Sequence, residues 1–110
     1  MRKGMYKVDA LRLKPIITLP ITRKWFDMIL SGEKTEEYRE MTTYYDARLK
    51  RYSGQAIAVR FRNGYRRNSP AIACIVIVCP NREGRGEWGA ETNRRYYVLK
   101  IKHTELEVAA

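Results

Sequence analysis

The stretch Ala71-Ile72-Ala73-Cys74-Ile75-Val76-Ile77-Val78 is an unbroken run of small and β-branched apolar residues. A run that is apolar at every position reads as a strand buried on both faces, and therefore as the centre of a sheet. Upstream of it, Ala56–Arg62 alternates. Ile57, Val59 and Phe61 fall on one side and Ala58, Arg60 and Arg62 on the other, the period-two pattern of a strand. Asn63-Gly64 opens a turn region that reaches Ser69. Downstream, Pro80–Thr92 carries glycines and reads as a loop, and Tyr96–His103 alternates again as a closing strand.

Further upstream, Ile16–Leu19 reads as a short strand that Pro20 breaks. A helix follows. Thr22 stands where a side-chain oxygen can cap the first turn, with Ile21 and Phe26 at hydrophobic-staple spacing. Trp25, Met28 and Ile29 make its apolar face, and Gly32 stops it in the left-handed conformation. Thr35–Met41 reads as a strand. A shorter helix over Thr43–Tyr52 places Tyr45, Leu49 and Tyr52 at helical spacing, with Ser53-Gly54 ending it. The order is strand, helix, strand, helix, then three strands. Helices early and a sheet completed late predict an α+β fold of mixed, mostly antiparallel strands. That sheet should be small and curved or closed as a barrel, with a covering N-terminal helix and a second short helix. Residues 1–14 read as a basic tail, 15–105 as one domain and 106–110 as a short C-terminal tail.

The chain has 110 residues, 45% of them hydrophobic, which suits one domain with its own core. Lys and Arg total 22 against 12 Asp and Glu, a formal charge of +10. So basic a balance favours a polyanionic partner. Cys74 and Cys79 lie five apart in one run, point to opposite faces and cannot bridge each other. With no CxxC pair and only His103 as histidine, no metal site or cofactor is expected. Free thiols suit a cytoplasmic location. The longest apolar run, Ala71–Cys79, is far too short for a membrane span, so no membrane partner is expected.

The chemistry concentrates in Gly32-Glu33-Lys34-Thr35-Glu36-Glu37-Tyr38-Arg39. On a strand, Glu37 and Arg39 project to the same face. Lys34 lies in the turn before them, where its long side chain can lean over that face. Glu37, oriented by Arg39, can accept from an exocyclic amine or a hydroxyl. Lys34 and Arg39 can bind phosphate or a base carbonyl. An exposed strand with ordinary surface ion pairs is the alternative reading.

Gly32, Lys34, Glu37 and Arg39 match the G-x-K-x-x-E-x-R signature of the ASCH domain family, related to the PUA-like RNA-binding barrels. The helix ending Ile29-Leu30-Ser31-Gly32 also resembles that family. So does the loop Glu87-Trp88-Gly89-Ala90-Glu91 leading into Tyr97-Val98-Leu99-Lys100-Ile101. The resemblance spans roughly residues 16 to 104. It implies a small PUA-like barrel whose cleft, under the first helix, is lined by the signature residues, and an RNA or nucleotide ligand. Some members resembling this chain are amidohydrolases of 4-acetylcytidine, in which the signature lysine is catalytic. The matching residue is Lys34, whereas those enzymes have a threonine where this chain has Glu37. The enzymatic alternative is therefore a small hydrolase of a modified nucleoside or of RNA, with Lys34 and Glu37 as the catalytic pair. Its lysine needs a depressed pKa, which the nearby carboxylates of Glu33 and Glu37 oppose.

Other candidate ligand residues follow from charge and shape. Arg23 and Lys24 sit in the first turn of the first helix, where a bound anion would offset their unfavourable placement. Between Asp46 and Glu83 there is no acidic residue but a series of basic ones, among them Arg48, Arg60, Arg62, Arg66 and Arg67. These suit phosphate contacts, or else form a solvated face. Tyr44 can stack on an unpaired base. Trp25 reads as core and Trp88, in the glycine-bearing loop, as a cleft residue.

Overall fold

The computed structural model describes residues 14–107. Apart from Lys14, the basic tail of residues 1–14 lies outside the described residues, as do residues 108–110. Five strands and two helices appear in the order β1 (Ile17–Ile21), α1 (Arg23–Leu30), β2 (Glu36–Glu40), α2 (Thr43–Leu49), β3 (Ala56–Asn63), β4 (Ala71–Glu83) and β5 (Arg95–Glu107). The chain is thus α+β. A 3-10 turn over Lys50–Tyr52 extends α2, and another covers Gly86–Trp88.

The strands form one sheet in the order β1-β3-β4-β5-β2. β1 runs parallel to β3, and the other three pairings are antiparallel. The sheet curls into a half-barrel. Its edge strands, β1 and β2, do not pair with each other. β4 is central, as its uninterrupted apolar run requires.

One face of the sheet carries the core. Leu19 of β1, Ile57, Val59 and Phe61 of β3, Ile72, Cys74, Val76 and Val78 of β4, and Tyr97 and Leu99 of β5 are all buried there. α1 lies over this face and buries Phe26 and Ile29 in it. Leu49 of α2 fills the same core, and Tyr97 donates a hydrogen bond to Asp46 Oδ1 that ties α2 to the sheet.

Several local expectations need correction. Pro20 does not break the first strand but sits within β1, opposite Arg62. An edge strand tolerates proline because one side of it needs no donors. Thr22 occupies the N-cap position of α1, but its side chain makes no capping bond. The capping hydroxyl is at α2, where Thr42 accepts from the Tyr45 amide. Residues 80–83 are not loop. β4 continues to Glu83 past an irregularity between Cys79 and Arg82, where Asn81 takes a φ of 59°. One extra residue on β4 is absorbed there, the pairing with β5 resumes, and Arg82 then pairs with Tyr96. β5 likewise runs to Glu107, past the expected end of the closing strand at His103. Both cysteines are free.

Candidate functional site

The chain leaves β1 at one edge of the sheet, crosses the core face as α1 and enters β2 at the opposite edge. Gly32 makes the handover. Its φ of +87° is a conformation that other residues rarely adopt. Its N–H donates to Ile29 O, and the next turn closes with Lys34 N–H donating to Met28 O. That second bond aims Lys34 back under the helix. On β2, Glu37 pairs with Leu99 and Arg39 with Tyr97, both core-facing residues of β5. Strand alternation therefore turns both charged side chains inward.

The three charges converge. Lys34 Nζ lies 3.2 Å from Glu37 Oε1, and Arg39 Nη2 lies 2.7 Å from Glu37 Oε2. Lys34 and Glu37 are the only buried charged residues among those described. Lys34 also donates to the Trp88 carbonyl at 3.0 Å, and its Nζ stands 4.9 Å from the ring centroids of both Trp25 and Tyr38. Burial pushes the Lys34 amine below the usual lysine value, and the Glu37 carboxylate only partly restores it. Carboxylates close in sequence argue for the opposite shift, but desolvation by the surrounding rings outweighs them here.

Arg39 is held entirely by protein partners. Its Nε and Nη2 both donate to Glu37 Oε2, Nη2 also donates to Pro20 O, and Nη1 donates to the Tyr45 hydroxyl. With its guanidinium so committed, it orients Glu37.

Beside the trio opens a cleft of about 200 Å³ lined by Trp25, Glu37, Tyr38, Glu40, Trp88, Gly89, Glu91 and Tyr96. Ordinary ligand pockets run to roughly 300–1,000 Å³, so this one suits a single ring-sized group. Four aromatic side chains contribute to its walls, and Tyr38 and Tyr96 pack against each other at 5.6 Å. Arg94 braces its acidic rim by pairing with both Glu40 and Glu91.

Of the residues singled out from sequence, Glu37 and Trp88 line this cleft, and Lys34, bonded to both, is buried behind them. The others lie elsewhere. Arg23 and Lys24 are exposed, Arg23 beside Asp27 and Lys24 over the Trp25 ring. Arg48 stacks 3.5 Å from the centroid of the exposed Tyr44 and donates to its carbonyl. Arg60 is on the sheet's other face, paired with Glu107. Arg62 donates to the carbonyls of Arg67 and Ser69 and staples the β3–β4 turn. Arg66 and Arg67 are exposed in that turn. Sequence reasoning missed Trp25, Tyr38, Glu40, Glu91 and Tyr96 as cleft residues. Trp25 carries no signal of that role, since an aromatic on an apolar helix face looks like core. Tyr38 lies between two inward-facing residues and so reads as outward.

Among the described residues no helix is long and apolar enough to cross a membrane, and no group of His, Cys, Asp or Glu stands close enough to hold a metal ion. No protein-family model matches this chain, and no curated protein or solved structure matches it either.

Proposed function

We propose that this protein is an ASCH-type, PUA-like module that binds RNA or a nucleotide by taking one base into the cleft beside Lys34 and Glu37. One observation carries the reading. A buried acceptor, Glu37, lines a ring-sized cleft with aromatic walls, and a buried donor, Lys34, stands 3.2 Å behind it. The Trp25, Tyr38, Trp88 and Tyr96 rings supply surfaces on which a base stacks. Lys34 supplies a donor for a base carbonyl, and Glu37 an acceptor for an exocyclic amine. Phosphates stay outside, where exposed Arg48, Arg66 and Arg67 meet the backbone. Titrating a labelled single-stranded RNA at several salt concentrations tests the reading. Binding should weaken steeply with salt and should be lost in Lys34→Met. No detectable binding of any oligonucleotide or nucleoside would overturn it.

A second reading is favoured by the Lys34 amine itself, held out of water with its pKa lowered by burial. Such an amine is a better nucleophile or base at neutral pH than an exposed lysine. The protein would then be a small hydrolase of an acylated nucleoside such as acetylated cytidine, or of RNA, with Lys34 and Glu37 as the catalytic pair. Incubation with acetylated cytidine and with unstructured RNA separates the two readings. Turnover that Lys34→Ala abolishes selects the enzyme.

A further inference from the structure

We infer that the segment from Gly84 to Ala90 is a lid, closed in this structure, and that the Trp88 carbonyl oxygen occupies the place where a carbonyl oxygen of the ligand meets Lys34. The inference rests on the base-binding reading above and adds to it an access step and a ligand class.

The Lys34 side chain is 0% exposed. A group entirely out of solvent touches no ligand until something covering it leaves. Its neighbours Trp25 and Glu37 belong to α1 and β2, which are anchored by the core. Trp88 belongs instead to a short connection. Two hydrogen bonds fasten that connection to β2 and the turn before it. Lys34 donates to Trp88 O, and the Arg85 amide donates to the Tyr38 hydroxyl at 2.9 Å. Its other backbone bonds are internal. Trp88 N–H and Ala90 N–H both donate to Arg85 O, and Gly89 N–H donates to Gly86 O. The segment is therefore a small unit with its own hydrogen bonding and few ties outward, the kind of element that opens locally at low cost.

Its seating is flush. A Cβ on Gly84 would stand 2.6 Å from the Tyr38 ring and 2.7 Å from Ala90 Cβ, and one on Gly89 would stand 3.1 Å from Trp25. The glycines let the lid lie against the two rings that also flank Lys34.

The latch indicates what displaces it. A buried ammonium must keep its acceptors, since leaving one unmet costs more than the bond itself contributes. A ligand carbonyl oxygen is the same kind of acceptor as the Trp88 carbonyl and can take its place without leaving Lys34 unpaired. In uracil and guanine a ring N–H beside the carbonyl can then donate to Glu37, 3.2 Å away. Uracil, cytosine and guanine carry a ring carbonyl; adenine does not. The site is thus built for a carbonyl-bearing base and discriminates against adenine.

The lid is tested without ligand. A small amine-acylating reagent is applied to the folded protein, and modification of Lys34 and of exposed Lys24 is followed by peptide mass spectrometry. Lys34 should react at least roughly tenfold more slowly than Lys24, as protection by local closure requires. Tyr38→Phe removes one latch and should speed Lys34 by about fivefold, the effect of one lost hydrogen bond on an opening equilibrium. Equal rates at the two lysines, or a Lys34 rate unmoved by both Tyr38→Phe and Gly84→Ala, would overturn the lid. The ligand class is tested by calorimetry with cytidine, uridine, guanosine and adenosine. Adenosine should bind at least about tenfold more weakly, for want of the acceptor. Adenosine binding as tightly as cytidine would overturn the acceptor assignment while leaving base binding intact. Failure of all four nucleosides and of RNA to bind would overturn base binding and the ligand class with it. The acylation result would still decide the lid.

Discussion

Arg39 donates two hydrogen bonds, from Nε at 3.1 Å and Nη2 at 2.7 Å, to the same carboxylate oxygen of Glu37. The other oxygen of Glu37 faces Lys34. One buried carboxylate therefore balances two cations. Glu37→Gln should destabilise the fold by about 3 kcal/mol, because it leaves buried Lys34 without its counter-charge and Arg39 without its fork. Lys34→Met should cost well under half of that. Glu37 keeps Arg39, and a thioether packs well among the rings of Trp25 and Tyr38. Urea denaturation of the two variants gives the comparison. Equal losses would contradict the view that Glu37 is the hub.

Glycines 84 and 86 should respond unequally to alanine. At Gly84 a methyl group meets the Tyr38 ring and Ala90, whereas at Gly86 nothing lies within 4 Å. Gly84→Ala should cost about 1–3 kcal/mol, as overpacking does, and Gly86→Ala less than about 0.5 kcal/mol. Thermal melts of both variants check this, and a stable Gly84→Ala protein would show that the lid does not seat against Tyr38.

Stability should decline on the alkaline side. Burial pushes the Cys74 thiol from 9.0 up to about 12, and burial, with a bond to Asp46, pushes the Tyr97 hydroxyl from 10.0 up to about 12. Both groups stay protonated in the fold where the unfolded chain has already ionised. Their contribution is whole below pH 9 and is lost as pH rises from there toward 12, each group steepening the loss by up to about 1.4 kcal/mol per pH unit. Lys34 acts in the reverse sense. Its folded pKa is lowered, so the cost of burying its charge is relieved as pH rises toward 10.5. Urea midpoints from pH 8 to 11 should fall, and should fall less steeply between pH 9 and 10 in Cys74→Ala. A decline of unchanged slope in that variant would refute the assignment to Cys74.

The salt dependence of RNA binding should separate exposed arginines from committed ones. Arg66→Ala and Arg67→Ala should each lower the slope of log affinity against log salt by about 0.7, the value for one phosphate contact on a single strand. Arg60 is held by Glu107 and Arg62 by two turn carbonyls. Arg60→Ala should leave the slope unchanged. A slope that responds to Arg60 and not to Arg66 or Arg67 would put the nucleic-acid path on the other face of the sheet.

Much was legible in the amino-acid order because the signals were local. The apolar run from Ala71 to Val78 marked the central strand. Alternation at Ile57, Val59 and Phe61 marked the core face of β3. Gly32 marked the end of α1, and the two-residue spacing of Glu37 and Arg39 put them on one face of β2. Each of these follows from the geometry of a single helix or strand. Pro20 and residues 80–83 misled because a breaker is tolerated at a sheet edge or beside a bulge, and neither an edge nor a bulge is visible before the strands pair.

Tertiary structure alone decided what the charges do. Which way β2 faces depends on its register with β5, which sets Glu37 against Leu99 and Arg39 against Tyr97. The burial that lowers the Lys34 pKa depends on residues packed over it, Trp25, Tyr38 and Trp88 among them, up to 54 positions away in the chain. Arg39 is tied to the sheet edge and α2 because Pro20 O and the Tyr45 hydroxyl come within its reach. Solvent exclusion and hydrogen-bond partnership are properties of the assembled surface. The sequence by itself determined which residues carry charge and which strand face they share. The packing of α1 and the 84–90 segment over that face determined that the charge is dry.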